Sequence, residues 1–93
     1  MKINIKIFPM LRDATGASEG TLETEGNTVG GVIDALIAQY GDKFRQELFK
    51  PDGNIKPSIK LLVNESLVDP AAPLQHVVKD GDTLSFIPAM FGG

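Results

Sequence analysis

Residues 28–41 read Thr-Val-Gly-Gly-Val-Ile-Asp-Ala-Leu-Ile-Ala-Gln-Tyr-Gly, and they decide how the rest of the chain is organised. Their apolar residues recur with the three- and four-residue spacing of an amphipathic helix. These are Val29, Val32, Ile33, Leu36, Ile37 and Tyr40. Thr28 is suited to cap the start of this helix, and Gly41 to end it. We expect close packing to explain Gly30 and Gly31, since each costs a helix up to about 1 kcal/mol relative to alanine.

The segments on either side of this helix have the patterns of half-buried strands. In residues 2–8, Ile3, Ile5 and Ile7 fall on one face and polar residues on the other. Strands are predicted at residues 2–8, 20–25, 58–64, 67–68 and 83–88, with a second, short helical turn at residues 42–50. Leu74, Val77 and Val78 are expected to close the bottom of the core.

This order of elements predicts an α+β fold in which one helix stripe covers one sheet. The first and last strands can lie side by side in the centre, which is the β-grasp arrangement of ubiquitin. We therefore predict a mixed sheet of four to five strands covered by one main helix. Residues 1–88 are assigned to this domain and residues 89–93 to a flexible C-terminal tail.

Composition excludes several classes of function. A chain of 93 residues is long enough for one domain and too short for a deep active site, and its net charge of -3 argues against nucleic-acid binding. It contains no cysteine and one histidine, His76, so we expect no metal site. There is no long apolar run and no signal-like start, so we expect no membrane span and a cytoplasmic location.

The end of the sequence carries the most chemical information. The apolar pair Met90-Phe91 follows the last predicted strand, and Gly92-Gly93 comes after it. Two glycines make a thin, flexible end that can enter a narrow channel in another protein. The Gly93 carboxylate becomes reactive only when ATP adenylates it, after which sulfide would give a thiocarboxylate and an amine would give an isopeptide bond. The chain has no phosphate-binding loop, so ATP and magnesium would belong to the partner enzyme.

The chain resembles the family of the molybdopterin synthase small subunit (MoaD) and the thiamine-pathway sulfur carrier (ThiS). The resemblance rests on Lys2–Phe8, Leu11-Arg12 with Thr15-Gly16, Thr28-Val29, Leu62-Val63-Asn64, Asp80-Gly81-Asp82 and Ile87–Gly93. Within the family it is most similar to the longer sulfide carriers that work with a cysteine synthase, which share Tyr40 at the helix end.

The resemblance implies a protein cosubstrate and not an enzyme. A ubiquitin-activating-like adenylyltransferase would adenylate Gly93, and a sulfur donor would convert it to the thiocarboxylate. An acceptor synthase would then take the sulfur, either the molybdopterin synthase large subunit or a cysteine synthase. A ubiquitin-like modifier joined to lysines through Gly93 and a plain β-grasp interaction domain remain the alternatives.

Five residues are candidates for partner binding. Met90, Phe91 and Phe8, together with Leu62, could form an apolar docking patch beside the tail. Arg12 could pair with an acidic partner surface.

The pairs Glu23 with Glu25 and Asp80 with Asp82 lie in a predicted strand and a predicted turn, so acid–base catalysis is not expected of them. Residues 42–57 exceed what a minimal β-grasp domain needs, and we expect them to contribute to partner choice.

Overall fold

The computed structural model describes residues 1–7, 19–69 and 71–88. In chain order the elements are β1 (Lys2–Ile7), β2 (Glu19–Glu23), α1 (Val29–Tyr40), α2 (Asp42–Leu48), β3 (Ile59–Val63), β4 (Ser66–Leu67), a 3-10 turn (Pro73–Gln75) and β5 (Thr83–Pro88). The strands form one sheet in the order β2-β1-β5-β3-β4. The central pair, β1 and β5, is parallel, and the other pairs are antiparallel. The predicted β-grasp arrangement is confirmed.

Helix α1 begins and ends where its sequence predicts. The Thr28 hydroxyl accepts a hydrogen bond from the Gly31 N–H at 3.2 Å, which satisfies one of the free donors of the first turn. Gly41 has φ +86°, and its N–H donates to the Ile37 carbonyl at 2.7 Å. The stripe is buried at Val29, Val32, Ile33 and Leu36 and half-buried at Ile37 and Tyr40. It therefore covers the inner face of the sheet.

The two glycines at the start of α1 are explained by close packing, as predicted. A Cβ on Gly30 would lie 3.0 Å from the Leu74 carbonyl oxygen. A Cβ on Gly31 would lie 3.0 Å from the Gly26 Cα. Both neighbours include backbone atoms, which cannot swing away as the end of a long side chain can. Glycine thus allows the 3-10 turn and the loop before the helix to approach α1.

The core lies between α1, α2 and the inner face of the sheet. The strand residues Ile3, Ile5 and Ile7 of β1 and Ile59, Leu61 and Val63 of β3 are buried in alternation, as predicted. In β5, Leu84 and Phe86 belong to the core, and Ser85 between them is also buried. The second predicted helical turn is α2, and it contributes Phe44 and Leu48, both fully buried. The Phe44 ring meets the Phe86 ring edge to face, with 5.8 Å between centroids. Aromatic pairs of this geometry add to the stability that burial provides.

Three sequence predictions differ from the structure. Leu74 and Val77 were expected to close the core, but they are 37% and 60% exposed, and only Val78 is buried. After the 3-10 turn the chain is extended, and Val77 forms a single bridge with Thr28. The side chains of Val77 and Val78 therefore point to opposite sides, with Val78 in the core and Val77 in solvent. Strand β2 ends at Glu23, so Thr24 is outside it and accepts a hydrogen bond from the Gly26 N–H.

Candidate functional site

The predicted reactive end and its neighbours lie outside the described residues. This applies to Phe8, Arg12, Met90, Phe91, Gly92 and Gly93. Their roles, and the assignment of residues 89–93 to a flexible tail, stay predictions. The structure does describe the strand that leads to them, because β5 ends at Pro88, five residues before Gly93.

Strand β5 is the central strand of the sheet and pairs with β1 on one side and with β3 on the other. Its parallel register with β1 runs from Asn4 opposite Thr83 to Ile7 opposite Phe86. Its antiparallel register with β3 places Ile59 opposite Pro88. Leu84 and Phe86 are fully buried, whereas Ile87 and Pro88 are half-buried. The strand is therefore fixed in the core and approaches the surface at its C-terminal end.

The outer face of the sheet at this end carries a mixed apolar and basic surface. Residues opposite each other in adjacent strands place their side chains on the same face. The registers join Leu67 to Leu62, Leu62 to Ser85, Ser85 to Lys6, and Ile87 to Lys60. We call Lys6, Lys60, Leu62, Leu67 and Ile87 the tail-root surface. Leu67 is 55% exposed, and Leu62 and Ile87 are half-buried.

Sequence reasoning found only part of this surface. Leu62 was proposed as part of a docking patch, and it does lie on the outer face. Leu67, Ile87 and the lysines Lys6 and Lys60 were not assigned to this surface. The turn at Asn64-Glu65 was a usable signal, because a two-residue connection fixes the register that brings Leu67 opposite Leu62.

Asp80 and Asp82 accept hydrogen bonds that stabilise the turn before β5. Asp82 accepts hydrogen bonds from the Lys79 N–H at 2.8 Å and from the Asn64 side chain at 3.1 Å, and these bonds lower the pKa of its carboxyl. Asp80 accepts from the Lys2 N–H. A general acid at neutral pH needs a raised pKa, so Asp82 is not suited to that task.

Two other acidic residues, Glu23 and Asp42, also make local contacts within the domain. Glu23 lies 3.6 Å from the N-terminal ammonium group, and hydrogen bonds to Arg45 and Gln46 lower the pKa of Asp42. Within the described ranges no group of three or more potential ligands could hold a metal ion. Those ranges also contain no helix long and apolar enough to cross a membrane.

This architecture defines a ubiquitin-like protein of the class that includes small carriers and modifiers. The helix-covered mixed sheet and the central last strand are its defining features. The chain belongs to the ThiS family, which matches residues 5–93. Its members act as sulfur carriers or as ubiquitin-like modifiers.

Two curated relatives illustrate both roles. The sulfur carrier protein CysO of Mycobacterium tuberculosis is 30% identical over 95 residues, an alignment that covers 100% of both chains. Ubiquitin-related modifier 1 of Ajellomyces capsulatus is 31% identical over 80 residues, which cover 86% of this chain and 66% of the relative.

Two solved structures have the same fold. SAMP1 from Haloferax volcanii superimposes with a TM-score of 0.81 at 26% identity, covering 100% of each chain. The Amycolatopsis orientalis BexX/CysO complex matches with a TM-score of 0.75 at 30% identity, covering 92% of this chain and 93% of the other.

Proposed function

We propose that this protein is a sulfur carrier whose Gly93 carboxylate is adenylated and then converted to a thiocarboxylate. The observation that supports the proposal most directly is the similarity to CysO, which extends over the full length of both chains. It agrees with the Gly92-Gly93 sequence that follows the central strand within five residues.

The chemistry needs two steps on the Gly93 carbon. In the first, a carboxylate oxygen attacks the α-phosphorus of ATP, and pyrophosphate leaves to give an acyl-adenylate. In the second, the sulfur of sulfide or of a persulfide-bearing donor attacks the acyl carbon, and AMP leaves. Displacement from the persulfide also requires a thiol to release the bound sulfur as a disulfide forms. The partner enzyme supplies the ATP site and magnesium.

The role of the described residues in this chemistry is presentation. Strand β5 pairs on both sides as far as the buried Phe86, and Pro88 lies opposite Ile59 of β3, which supports a defined position for the start of the tail. Five extended residues beyond it would reach about 17 Å, enough to enter a catalytic cleft while the domain stays outside. The tail-root surface includes Ile87, one residue before Pro88, and offers the exposed Leu67 and the half-buried Leu62 and Ile87 to the activating enzyme. Phe8, Met90, Phe91 and Arg12 are proposed to extend this contact.

We propose an activated serine as the sulfur acceptor, on a cysteine synthase. The thiocarboxylate sulfur would attack the serine β-carbon as the leaving group departs, which gives a thioester between Gly93 and the new cysteine. The α-amine of that cysteine would then take the acyl group from the sulfur to form an amide. A peptidase would hydrolyse this amide with water to release cysteine and restore the Gly93 carboxylate. The CysO relatives favour this route over the molybdopterin synthase large subunit. The BexX/CysO complex supports the idea that a carrier of this fold can dock on a separate protein.

Intact-mass spectrometry tests the loading step. The purified chain is incubated with magnesium-ATP, sulfide and an activating enzyme from the organism that makes this protein. Thiocarboxylation adds about 16 Da to its mass. A variant that lacks Gly93 and one that ends at Phe91 serve as controls and should gain no mass. Loss of the mass increase in the intact chain, with an enzyme that loads another carrier in parallel, would contradict the proposal.

A second candidate function is modification of lysines, which the similarity to ubiquitin-related modifier 1 favours. The acyl-adenylate is common to both routes, and an amine instead of sulfide would take the acyl group. Analysis of the protein recovered from cells distinguishes the two routes. Conjugates appear as heavier species in which Gly93 is linked to a lysine, and these species survive treatment with thiols. A carrier without conjugating activity gives the thiocarboxylate alone.

A further inference from the structure

A groove on the helix side of the molecule is not used by the proposed sulfur chemistry. It consists of two cavities of about 590 and 280 Å³ that both contact Lys56. The larger lies between α1, α2 and the segment after α2, and the smaller lies along the start of β3. Adjacent residues of the 3-10 turn border them, Leu74 the larger and Pro73 the smaller. The two cavities are therefore neighbours, with Lys56 as a common wall residue.

The floor of this groove is apolar. The larger cavity is lined by Ile37, Phe49 and Leu74, and the smaller by Ile55 and Val68 among others. Leu74 is 37% exposed although it also packs against the start of α1. The segment that forms one wall is itself ordered by backbone pairing, because Phe49 bridges Ile55. Apolar side chains of a partner could thus bind against a preformed surface.

The rim of the groove is basic in a protein that is acidic overall. Arg45, Lys50, Lys56 and Lys60 line the two cavities, and Asp34 is the one carboxylate among the described lining residues. The chain as a whole carries 12 acidic and 9 basic residues. Positive charge is therefore concentrated where the apolar floor is accessible.

Two of these cations already have partners outside the lining. Arg45 pairs with Asp42, and Lys50 Nζ lies 3.4 Å from Asp52. Both ion pairs are exposed, and such pairs contribute little and exchange readily. Within the described part of the chain, neither Lys56 nor Lys60 forms an ion pair. Lys56 is the basic residue that lines both cavities.

We propose that the groove binds an extended acidic segment of a partner protein, with aliphatic or aromatic side chains in the two cavities and carboxylates opposite Lys56 and Lys60. Two neighbouring cavities favour an extended peptide, which can place one side chain in each, over a compact small molecule. This surface lies apart from the Gly93 chemistry. At the β3 end it meets the tail-root surface, because Lys60 and Leu67 belong to both.

A synthetic peptide tests this proposal on the intact chain without ATP or an activating enzyme. The probe is a fluorescent peptide of about twelve residues in which Glu-Asp pairs alternate with Leu or Phe. A twin with Lys-Arg in place of Glu-Asp is the charge control. At low salt we expect the acidic peptide to bind with a Kd below about 1 mM and the basic twin not to bind. Backbone amide NMR shifts should cluster at Ile37, Phe49, Ile55 and Leu74.

Charge-reversal variants locate the site. Lys56→Glu should weaken binding about tenfold, whereas Lys43→Glu on the exposed face of α2 should change it less than about twofold. Lys56→Ala, with a smaller expected loss, is the second variant, and circular dichroism confirms that each is folded. Equal effects at Lys43 and Lys56 would overturn the proposal. Four other results would also overturn the proposal. The basic twin could bind equally well, or the NMR shifts could be confined to Leu62 and Ile87. Inorganic phosphate could produce the same shifts, or the chain could dimerise in the absence of peptide.

Because no activating enzyme is present, this result is independent of the carrier proposal. A chain that fails to form a thiocarboxylate can still bind the peptide, and a chain that is loaded normally can fail to bind it.

Discussion

The substitution Gly30→Ala tests whether packing or helix propensity controls the start of α1. Alanine favours a helix over glycine by up to about 1 kcal/mol, so an unobstructed replacement would stabilise the protein. Here the new Cβ would lie 3.0 Å from the Leu74 carbonyl oxygen and 3.3 Å from the Leu74 Cβ. Forcing a methyl group into a packed site typically costs about 1–3 kcal/mol. We therefore expect a net loss of about 1 kcal/mol.

Chemical and thermal unfolding followed by circular dichroism measure this difference. For a domain of this size, about 1 kcal/mol corresponds to a decrease in Tm of roughly 5 °C. Ala38→Gly is the matched control, because Ala38 is exposed in the same helix and its change reports propensity alone. If Gly30→Ala stabilised the protein by as much as Ala38→Gly destabilises it, the close approach of the 3-10 turn would not constrain this position.

Three further predictions concern the cap, the core and pH. Thr28→Ala removes the bond to the Gly31 N–H and should cost about 1 kcal/mol of unfolding free energy, whereas Thr28→Ser should restore most of it. Phe86→Ala should cost about 3–5 kcal/mol in urea unfolding, because the ring is fully buried, and a loss below about 1.5 would contradict its position. Asp82 has a folded-state pKa below its ordinary value of 3.8, so the stability it contributes is present above that pH and is lost as pH falls through the lower, folded value. Asp82→Asn should therefore be less stable than the wild type near about pH 6 and lose less stability on acidification, and parallel curves would argue against this carboxylate.

The elements of the fold were predictable because their patterns are local. The alternation in β1 and the stripe in α1 each lie within one segment, and the caps at Thr28 and Gly41 are single-residue signals. The central position of β5 followed from the need to place the strands beneath one helix. The exposure of Leu74 and Val77 was not predictable in this way, since it depends on how the 3-10 turn sits against Gly30.

The functional surfaces were less accessible from the sequence than the fold. Gly92-Gly93 is a local signal, and it directed attention to the end of the chain. The tail-root surface combines residues of four strands, so it requires registers that a single sequence does not specify. The groove requires a contact between residues 49–57 and 67–74, which share no periodic pattern. Residues 42–57 were expected to influence partner choice, and the groove gives that prediction a definite location.

Stability and sulfur loading should be separable in this protein, because the proposed chemistry lies on Gly93 and the core lies elsewhere. A domain of this kind is typically stable by about 5–15 kcal/mol. Phe86→Leu keeps an apolar side chain and should cost about 1–3 kcal/mol, which leaves well over nine-tenths of the molecules folded at 25 °C. Such a variant should therefore form thiocarboxylate at nearly the wild-type rate while its urea midpoint decreases. A large fall in loading with the folded fraction unchanged would mean that the packing of β5 positions the tail more tightly than simple presentation requires.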